Sequence, residues 1–251
     1  MRPYRASVQI GLYFCFCHTL IMDDFSDNFF RLLLSLPAFV AAFALHEFAH
    51  AWMANRLGDD TPRRMGRLTL DPVVHLDPMG SLMFIITQLS GYGLGWAKPV
   101  PFNPRNFDHP RRDTMLVAVA GPVSNLLQVP FWLLSLFIFR LIGERTGLLI
   151  SPYEQQPFIG STIVTILSMG VVVNILLAAF NMIPFPPLDG HYILEGLGPP
   201  FITDFFNSIR PFSFMILLLM SSTGIISGFI SPFMFFAYRL ADLTSGYRFI
   251  T

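Results

Sequence analysis

Long apolar segments without a single charge constrain most strongly how this chain can fold. Residues 115–139, 161–180 and 212–238 contain no Asp, Glu, Lys or Arg. A helix needs about 20 apolar residues to cross the hydrocarbon core of a bilayer, and each segment reaches that length. The 251-residue chain is 53% hydrophobic and 13% charged, whereas about 25% of the residues in a soluble domain are charged. We therefore predict an all-α integral membrane protein, a bundle of about five to six transmembrane helices.

A five-residue motif, His46-Glu47-Phe48-Ala49-His50, lies at the end of an apolar run. On a helix, residues i and i+4 lie about 40° apart around the axis and about 6 Å apart along it, so both imidazoles can bind one metal ion. Glu47 lies about 60° from His50 around that axis, close enough to take a proton from a water on the metal. Zinc hydrolases use this arrangement.

The alternative interpretation of this motif is a chance pairing of two buried histidines. Polar side chains inside an apolar sequence are costly unless they are paired or bind a ligand. Three such side chains within five residues therefore favour a metal site.

A catalytic zinc ion needs a third protein ligand and leaves one position open for water. Asp189 is the strongest candidate, because it follows a proline-broken turn after an apolar segment and starts a new helix. As a single residue it could instead be the carboxylate that caps the N-terminus of that helix. His191 would point in another direction on the same helix and is the next candidate. Four further side chains complete the set of possible ligands: His18, His75, His109 and Asp113.

The first apolar segment and the polar segment after it differ in predicted structure. A helix is predicted over about residues 29–57, and it would carry the His46–His50 motif. The polar segment 59–78 contains two short runs, 65–70 and 73–76, that are bounded by proline and have strand-like composition. We expect these runs to form a short membrane-associated β-hairpin.

Two further segments interrupt the pattern of long helices. Residues 79–94 are apolar but short, and they suit either a tilted span or a re-entrant segment. Pro184, Pro186 and Pro187 exclude a regular helix after the apolar segment 161–180. Backbone that is not helical is tolerated at membrane depth only where protein or a cavity covers it. A proline-broken loop is therefore expected at the candidate site.

Two motifs about 140 residues apart carry a resemblance to a known family. They are His46-Glu47-Phe48-Ala49-His50 and Asn181-x-x-Pro184-x-Pro186-Pro187-Leu188-Asp189-Gly190, with three further stretches between them at 64–72, 95–101 and 120–125. Over about residues 29–240 the chain resembles the site-2 protease family of intramembrane zinc metalloproteases. It is most similar to the compact prokaryotic branch, without the inserted PDZ-like domain or nucleotide-binding pair of some members.

The resemblance implies that His46, His50 and Asp189 bind one Zn²⁺ per chain and that Glu47 is the catalytic base. It implies an intramembrane endopeptidase that hydrolyses peptide bonds within or next to transmembrane segments of membrane-protein substrates. The lipid bilayer and a transmembrane protein substrate are the partners that such an enzyme requires.

Asn125 and Asn181 are candidates for a substrate-binding role. Their amide groups could hold an extended substrate or stabilise the oxyanion. Hydrogen bonding between helices within the membrane is the alternative role for both residues.

Two other functions are compatible with the motifs. A metal-binding membrane transporter or channel could use His46, His50 and Asp189 as a transit site, but it would not need Glu47. A membrane scaffold without proteolytic activity would need none of the four residues.

Charge and domain organisation complete the sequence predictions. The net charge is zero, so nothing indicates binding to nucleic acid. Half of the 16 Lys and Arg residues lie between Arg56 and Arg112, which favours cytoplasmic placement of the polar loops 59–78 and 96–112 in a prokaryotic plasma membrane. We expect an N-terminal extension over residues 1–28 and one polytopic membrane metalloprotease domain over residues 29–251.

Overall fold

The structure, a computed structural model, describes residues 24–89, 96–149 and 158–246. Within these ranges the chain is almost entirely helical and forms no β-sheet. The predicted all-α class is therefore confirmed. The helices in chain order are α1 (Asp24–Arg56), α2 (Thr61–Arg64), α3 (Pro72–His75), α4 (Pro78–Leu89), α5 (Pro110–Thr146), α6 (Phe158–Asn181), α7 (Asp189–Leu197), α8 (Pro200–Ile209), α9 (Ser213–Ser222) and α10 (Ile225–Ser245), with short 3₁₀ turns at Pro104–Asn106 and Arg210–Phe212.

Four segments in the described part of the chain are long and apolar enough to cross a membrane. They are Leu32–Arg56, Pro110–Thr146, Ile159–Asn181 and Pro200–Ser222. The predicted count of five to six spans is not confirmed. Helix α4 has 12 residues and is thus about 18 Å long, shorter than the hydrocarbon core of about 30 Å. The predicted segment 79–94 cannot be followed to its end, because residues 90–94 lie outside the described ranges.

Helix α1 starts earlier than the sequence predicts. It begins at Asp24, so residues 24–28, which we assigned to an N-terminal extension, belong to the first helix. Residues 1–23 of that predicted extension, including His18, lie outside the described ranges. The helix ends at Arg56, and Gly58 follows with a φ of 103°, a left-handed conformation that glycine adopts readily.

The predicted β-hairpin over 65–70 and 73–76 is wrong. Residues 72–75 form the helical turn α3, because Pro72 has a fixed φ that suits a first helical position. The carboxylate of Asp71 caps this turn by accepting a hydrogen bond from the backbone N–H of Val73 at 3.0 Å. The described part of this region retains one isolated antiparallel bridge, between Leu76 and Ala97.

Helices α1, α5 and α6 pack against one another, and α10 packs against both α6 and α5. The hydrophobic core includes Val171 and Ile175 of α6 and Ile230 of α10. Close approach of α5 and α6 requires a small residue at position 170, because a Cβ on Gly170 would overlap the indole ring of Trp132. This contact fixes how α6 lies against α5 beside the candidate site.

Candidate metal centre

Three side chains from two helices point their ligand atoms at one another. Nε2 of His46 and Nε2 of His50 lie 3.0 Å apart on successive turns of α1. Oδ2 of Asp189, the first residue of α7, lies 3.3 Å from Nε2 of His46 and 3.4 Å from Nε2 of His50. In the described ranges, no other group of three His, Cys, Asp or Glu side chains is close enough to share a metal ion.

These separations fit a tetrahedral zinc ion. With Zn–N and Zn–O bonds of about 2.0–2.1 Å, the ligand atoms of a tetrahedron lie about 3.3 Å apart. Oδ2 of Asp189 is buried and has no hydrogen-bond partner, and such an oxygen is costly unless a cation neutralises it. Two imidazoles and one carboxylate also form a known donor set of catalytic zinc, with the fourth position open. The residues present therefore suit zinc.

The hydrogen-bond partners of Nδ1 set the tautomer of both histidines. Nδ1 of His50 lies 2.7 Å from the carbonyl oxygen of Val117. Because a carbonyl can only accept, Nδ1 carries the proton and Nε2 keeps its lone pair for a metal. Nδ1 of His46 lies 2.6 Å from Oδ1 of Asn125, an oxygen that also accepts. In the neutral form of each imidazole, the lone pair therefore lies on Nε2, the nitrogen that faces Asp189.

The turn before α7 places Asp189 against the histidines. Leu188 has an extended backbone at the N-cap position, and Asp189 begins the helix. A Cβ on Gly190 would overlap the carbonyl oxygens of Met182 and Ile183. Glycine at this position lets the start of α7 pack directly against the turn that follows α6, which brings the carboxylate to the site.

Glu47 follows His46 directly on α1 and lies three residues before His50, as the motif predicts. Its side chain is buried, with 7% of the residue exposed. A buried carboxylate beside an imidazole pair can exchange a proton with a water held there. Its role as a base stays a prediction.

The structure directs His191 away from the site. Its Nδ1 donates a hydrogen bond to the carbonyl oxygen of Leu188, and its Nε2 lies 3.5 Å from Nη2 of Arg210. The ring packs against Tyr192, with 3.8 Å between the ring centroids. His191 is thus occupied by its own contacts and is not part of the metal cluster.

The other described candidates for the third ligand also have separate partners. Nε2 of His75 donates to the carbonyl oxygen of Thr69 at 3.0 Å. Asp113 accepts a hydrogen bond from the backbone N–H of His109 at 3.0 Å and pairs with Arg112 at 2.9 Å. In the described part of the chain, neither these two side chains nor that of His109 belongs to the group of ligand atoms around His46 and His50.

The two predicted substrate-binding asparagines have different surroundings. Asn125 is fully buried, and its amide nitrogen donates to the carbonyl oxygen of Ala42 and to Oδ1 of Asn174, each at 3.0 Å. Asn181 is partly buried and donates to the carbonyl oxygen of Leu177 at 3.0 Å. A role in substrate binding stays a prediction for both residues.

Named relatives of this chain point to the same chemistry as the site. The chain is similar to YwhC of Bacillus subtilis, whose name describes a candidate zinc metalloprotease: the two are 35% identical over 202 residues, which cover 78% of this chain and 86% of YwhC. The chain belongs to the site-2 protease family. It is also similar to Rip2 of Mycobacterium tuberculosis, likewise named a candidate zinc metalloprotease, with 26% identity over 212 residues that cover 84% of this chain and 75% of Rip2. No protein-family model and no solved structure matches the chain.

Sequence reasoning missed two parts of the site in this site-2 protease family member. Gly121 belongs to the stretch 120–125, which supported only the family resemblance, but its backbone lies directly beside the imidazoles. Asn174 lies in an apolar segment and was not predicted to have a role, yet it accepts a hydrogen bond from Asn125. A lone asparagine in a predicted membrane helix is a signal that could have been used, since polar residues there are rare and mark functional positions.

Proposed function

We propose that this chain is an intramembrane zinc endopeptidase, which hydrolyses peptide bonds within or next to transmembrane segments of membrane-protein substrates. The observation that carries the proposal is the convergence of Nε2 of His46, Nε2 of His50 and Oδ2 of Asp189 within 3.4 Å of one another. Glu47 stands beside them on a helix that is apolar enough to cross a membrane.

Each residue has a distinct task in this proposal. His46, His50 and Asp189 would hold one Zn²⁺, which when bound would supply Lewis-acid chemistry and make water at the site more acidic. The carboxylate of Glu47 accepts a proton from the attacking water and later donates it to the amine that leaves. The oxygens that accept from Nδ1, those of Asn125 and Val117, hold the two imidazole rings in place with Nε2 facing the site.

The position of the site along α1 suits a substrate that enters from the membrane. His50 precedes Arg56, the last residue of α1, by about 9 Å along the helix axis. The site therefore lies within the apolar part of the helix but near the end that leads to the polar loop 59–78. We place this loop and residues 96–112 in the cytoplasm of a prokaryotic cell, following the excess of Arg and Lys.

A metal-binding transporter or channel is the alternative function. It would use the same three ligands for a transit site but has no need for a carboxylate between the histidines. An inactive scaffold would need no ligand at all. Glu47 is the residue that separates these functions from a protease.

The test compares zinc content and peptide cleavage in detergent-purified protein. We expect about one zinc per chain in the wild type and in Glu47→Gln, and clear loss of zinc in His46→Ala and Asp189→Ala. Cleavage is followed in liposomes with a labelled single-span model protein, whose fragments are identified by mass spectrometry. We expect cleavage by the wild type and none by Glu47→Gln.

A wild-type protein without zinc would refute the proposal. Equal zinc content and metal flux in wild type and Glu47→Gln, with no fragment from either, would support a transporter instead.

A further inference from the structure

A chain of buried amides extends from His46 across two helices. Oδ1 of Asn125 on α5 lies 2.6 Å from Nδ1 of His46, and Nδ2 of Asn125 donates to Oδ1 of Asn174 on α6 at 3.0 Å. Nδ2 of Asn174 in turn donates to the carbonyl oxygen of Gly170 at 2.8 Å. Asn125 and Asn174 are both fully buried. These hydrogen bonds therefore connect α6, which provides no candidate metal ligand, to His46 on α1.

Two backbone carbonyls fix the direction of these hydrogen bonds. The oxygens of Ala42 and Gly170 can only accept, so the nitrogen of each amide must face them. Nδ2 of Asn125 faces Ala42 at 3.0 Å, and Nδ2 of Asn174 faces Gly170. Each amide oxygen is thereby left to accept from the next group in the chain.

Reversal of the Asn125 amide would disturb the metal site. It would set Oδ1 of Asn125 against the oxygens of Ala42 and Asn174, where both contacts are repulsive. It would also turn an N–H group toward Nδ1 of His46, which would then have to give up its proton. The imidazole would carry its proton on Nε2 instead, and a protonated Nε2 cannot bind a metal.

The polarity of Asn174 is an exception in its surroundings. Its neighbours on α6 include Val171, Val172, Val173 and Ile175, which are all buried. A hydrophobic side chain would avoid the cost of burying an amide in this helix. The hydrogen bond to Asn125 is the contact that such a side chain could not provide.

We propose that Asn174 is a positioning residue of the metal centre. By accepting a second hydrogen bond from Nδ2 of Asn125, beside the one that Ala42 accepts, it stabilises the Asn125 amide in the orientation that keeps the lone pair of His46 on Nε2. This inference rests on the proposed function, because it requires that His46 bind zinc.

The test is a thermodynamic cycle on zinc affinity, measured by competition with a chelator in the detergent-purified full chain. The variants are Asn174→Leu, Asn125→Leu and the double variant. Removal of a partner that orients a metal ligand typically weakens metal binding about 10- to 100-fold. We expect each single variant to raise the Kd for zinc by about 10-fold or more. We expect the double variant to bind zinc no more weakly than Asn125→Leu, because Asn174 acts through Asn125.

A conservative variant separates positioning from packing. Asn174→Asp keeps the size of the side chain and an oxygen that can accept a hydrogen bond from Nδ2 of Asn125. We expect a zinc Kd close to that of the wild type. Should Asn174→Leu fail to give folded protein, the cycle is measured with Asn174→Ala, which is smaller and cannot overpack the helix interface.

Thr165→Val is the matched control. Oγ1 of Thr165 donates to the carbonyl oxygen of Ser161 at 2.8 Å, which is the same type of bond within α6 as the one from Asn174 to Gly170. Because Thr165 has no contact with Asn125, we expect the control to leave the zinc Kd unchanged.

Three results would overturn the inference. An unchanged Kd in Asn174→Leu would remove any role at the metal site, while leaving the proposed protease intact. Additive effects in the double variant would show that Asn174 does not act through Asn125. A wild-type protein that binds no zinc would refute the proposed function together with this inference.

Discussion

The backbone of Gly121 lies so close to His50 that a Cβ at position 121 would overlap Nε2 of the imidazole. The same Cβ would lie 2.6 Å from Cε1 of His46. At position 121, helix α5 therefore lines the candidate metal centre with its backbone. Any side chain at position 121 would occupy space that the ligand atoms need.

Gly121→Ala should lose zinc without losing the helix. Alanine favours a helix over glycine by about 1 kcal/mol, so the effect must come from displaced imidazoles. We expect zinc content well below one ion per chain and cleavage reduced about 100-fold, since a shift of about 1 Å at a catalytic site has an effect of that size. Metal analysis and the liposome cleavage assay measure both.

Gly228→Ala on α10 is the matched control for this substitution. A Cβ on Gly228 would meet no atom within 4 Å, so we expect unchanged zinc content and an equal or slightly higher Tm. Full zinc occupancy in Gly121→Ala would show that the imidazoles can move to make room for a Cβ, and that zinc binding does not require glycine at position 121.

His191→Phe should leave zinc in place. The ring of His191 packs against Tyr192 and Phe206, and phenylalanine can keep that packing while it removes both ring nitrogens. We expect about one zinc per chain and a loss of stability of about 1 kcal/mol from the broken hydrogen bond to Leu188. The zinc content of His191→Phe is measured by metal analysis and compared with that of Asp189→Ala. Zinc loss in His191→Phe together with retention in Asp189→Ala would identify His191 as the third ligand.

The metal cluster could be predicted from the sequence because its parts are local. The spacing of His46 and His50 alone puts both rings on one helix face, and Asp189 follows a turn that three prolines mark. The contact between these two parts depends on tertiary packing, and it was inferred from the position of Asp189 after the proline-broken turn together with the family resemblance, not from spacing.

Other features depend on contacts that no local pattern contains. Asn174 and Asn125 meet only because α6 packs against α5 through Gly170. The wrong prediction of a strand at 73–76 arose instead from local features that outweigh composition. Val73 and Val74 favour a strand by composition, but the local cap of Asp71 and the fixed φ of Pro72 start a helical turn instead.

Asp59→Asn should destabilise the polar loop after α1. The Asp59 side chain is completely buried and accepts hydrogen bonds from Thr61, from the backbone N–H of Asn103 at 2.6 Å and from Nδ2 of Asn106 at 2.7 Å. An amide would turn an N–H group toward one or more of these donors. We expect a loss of about 2 to 3 kcal/mol, seen as a lower Tm.

Asp60→Asn is the control for this change. Asp60 pairs at 2.7 Å with Arg64 on the exposed surface, and such pairs contribute about 1 kcal/mol or less. An equal drop in Tm for both variants would mean that the buried hydrogen bonds of Asp59 stabilise the protein no more than the exposed ion pair of Asp60.

The stabilising effect of Asp59 should disappear in acid. Burial alone would raise the pKa of this carboxyl group, but the hydrogen bonds from Thr61, Asn103 and Asn106 outweigh burial and hold the pKa below its usual value of 3.8. A lowered pKa in the folded state stabilises the protein above the unfolded pKa of about 3.9, and this stabilisation is lost as the pH falls through the folded value. The Tm difference between the wild type and Asp59→Asn should therefore be constant near neutral pH and narrow below about pH 3.9. This Tm difference is measured by thermal unfolding of the wild type, Asp59→Asn and Asp60→Asn from neutral pH into acid. A Tm difference between the wild type and Asp59→Asn that widens in acid would contradict an ionised Asp59 in the folded protein.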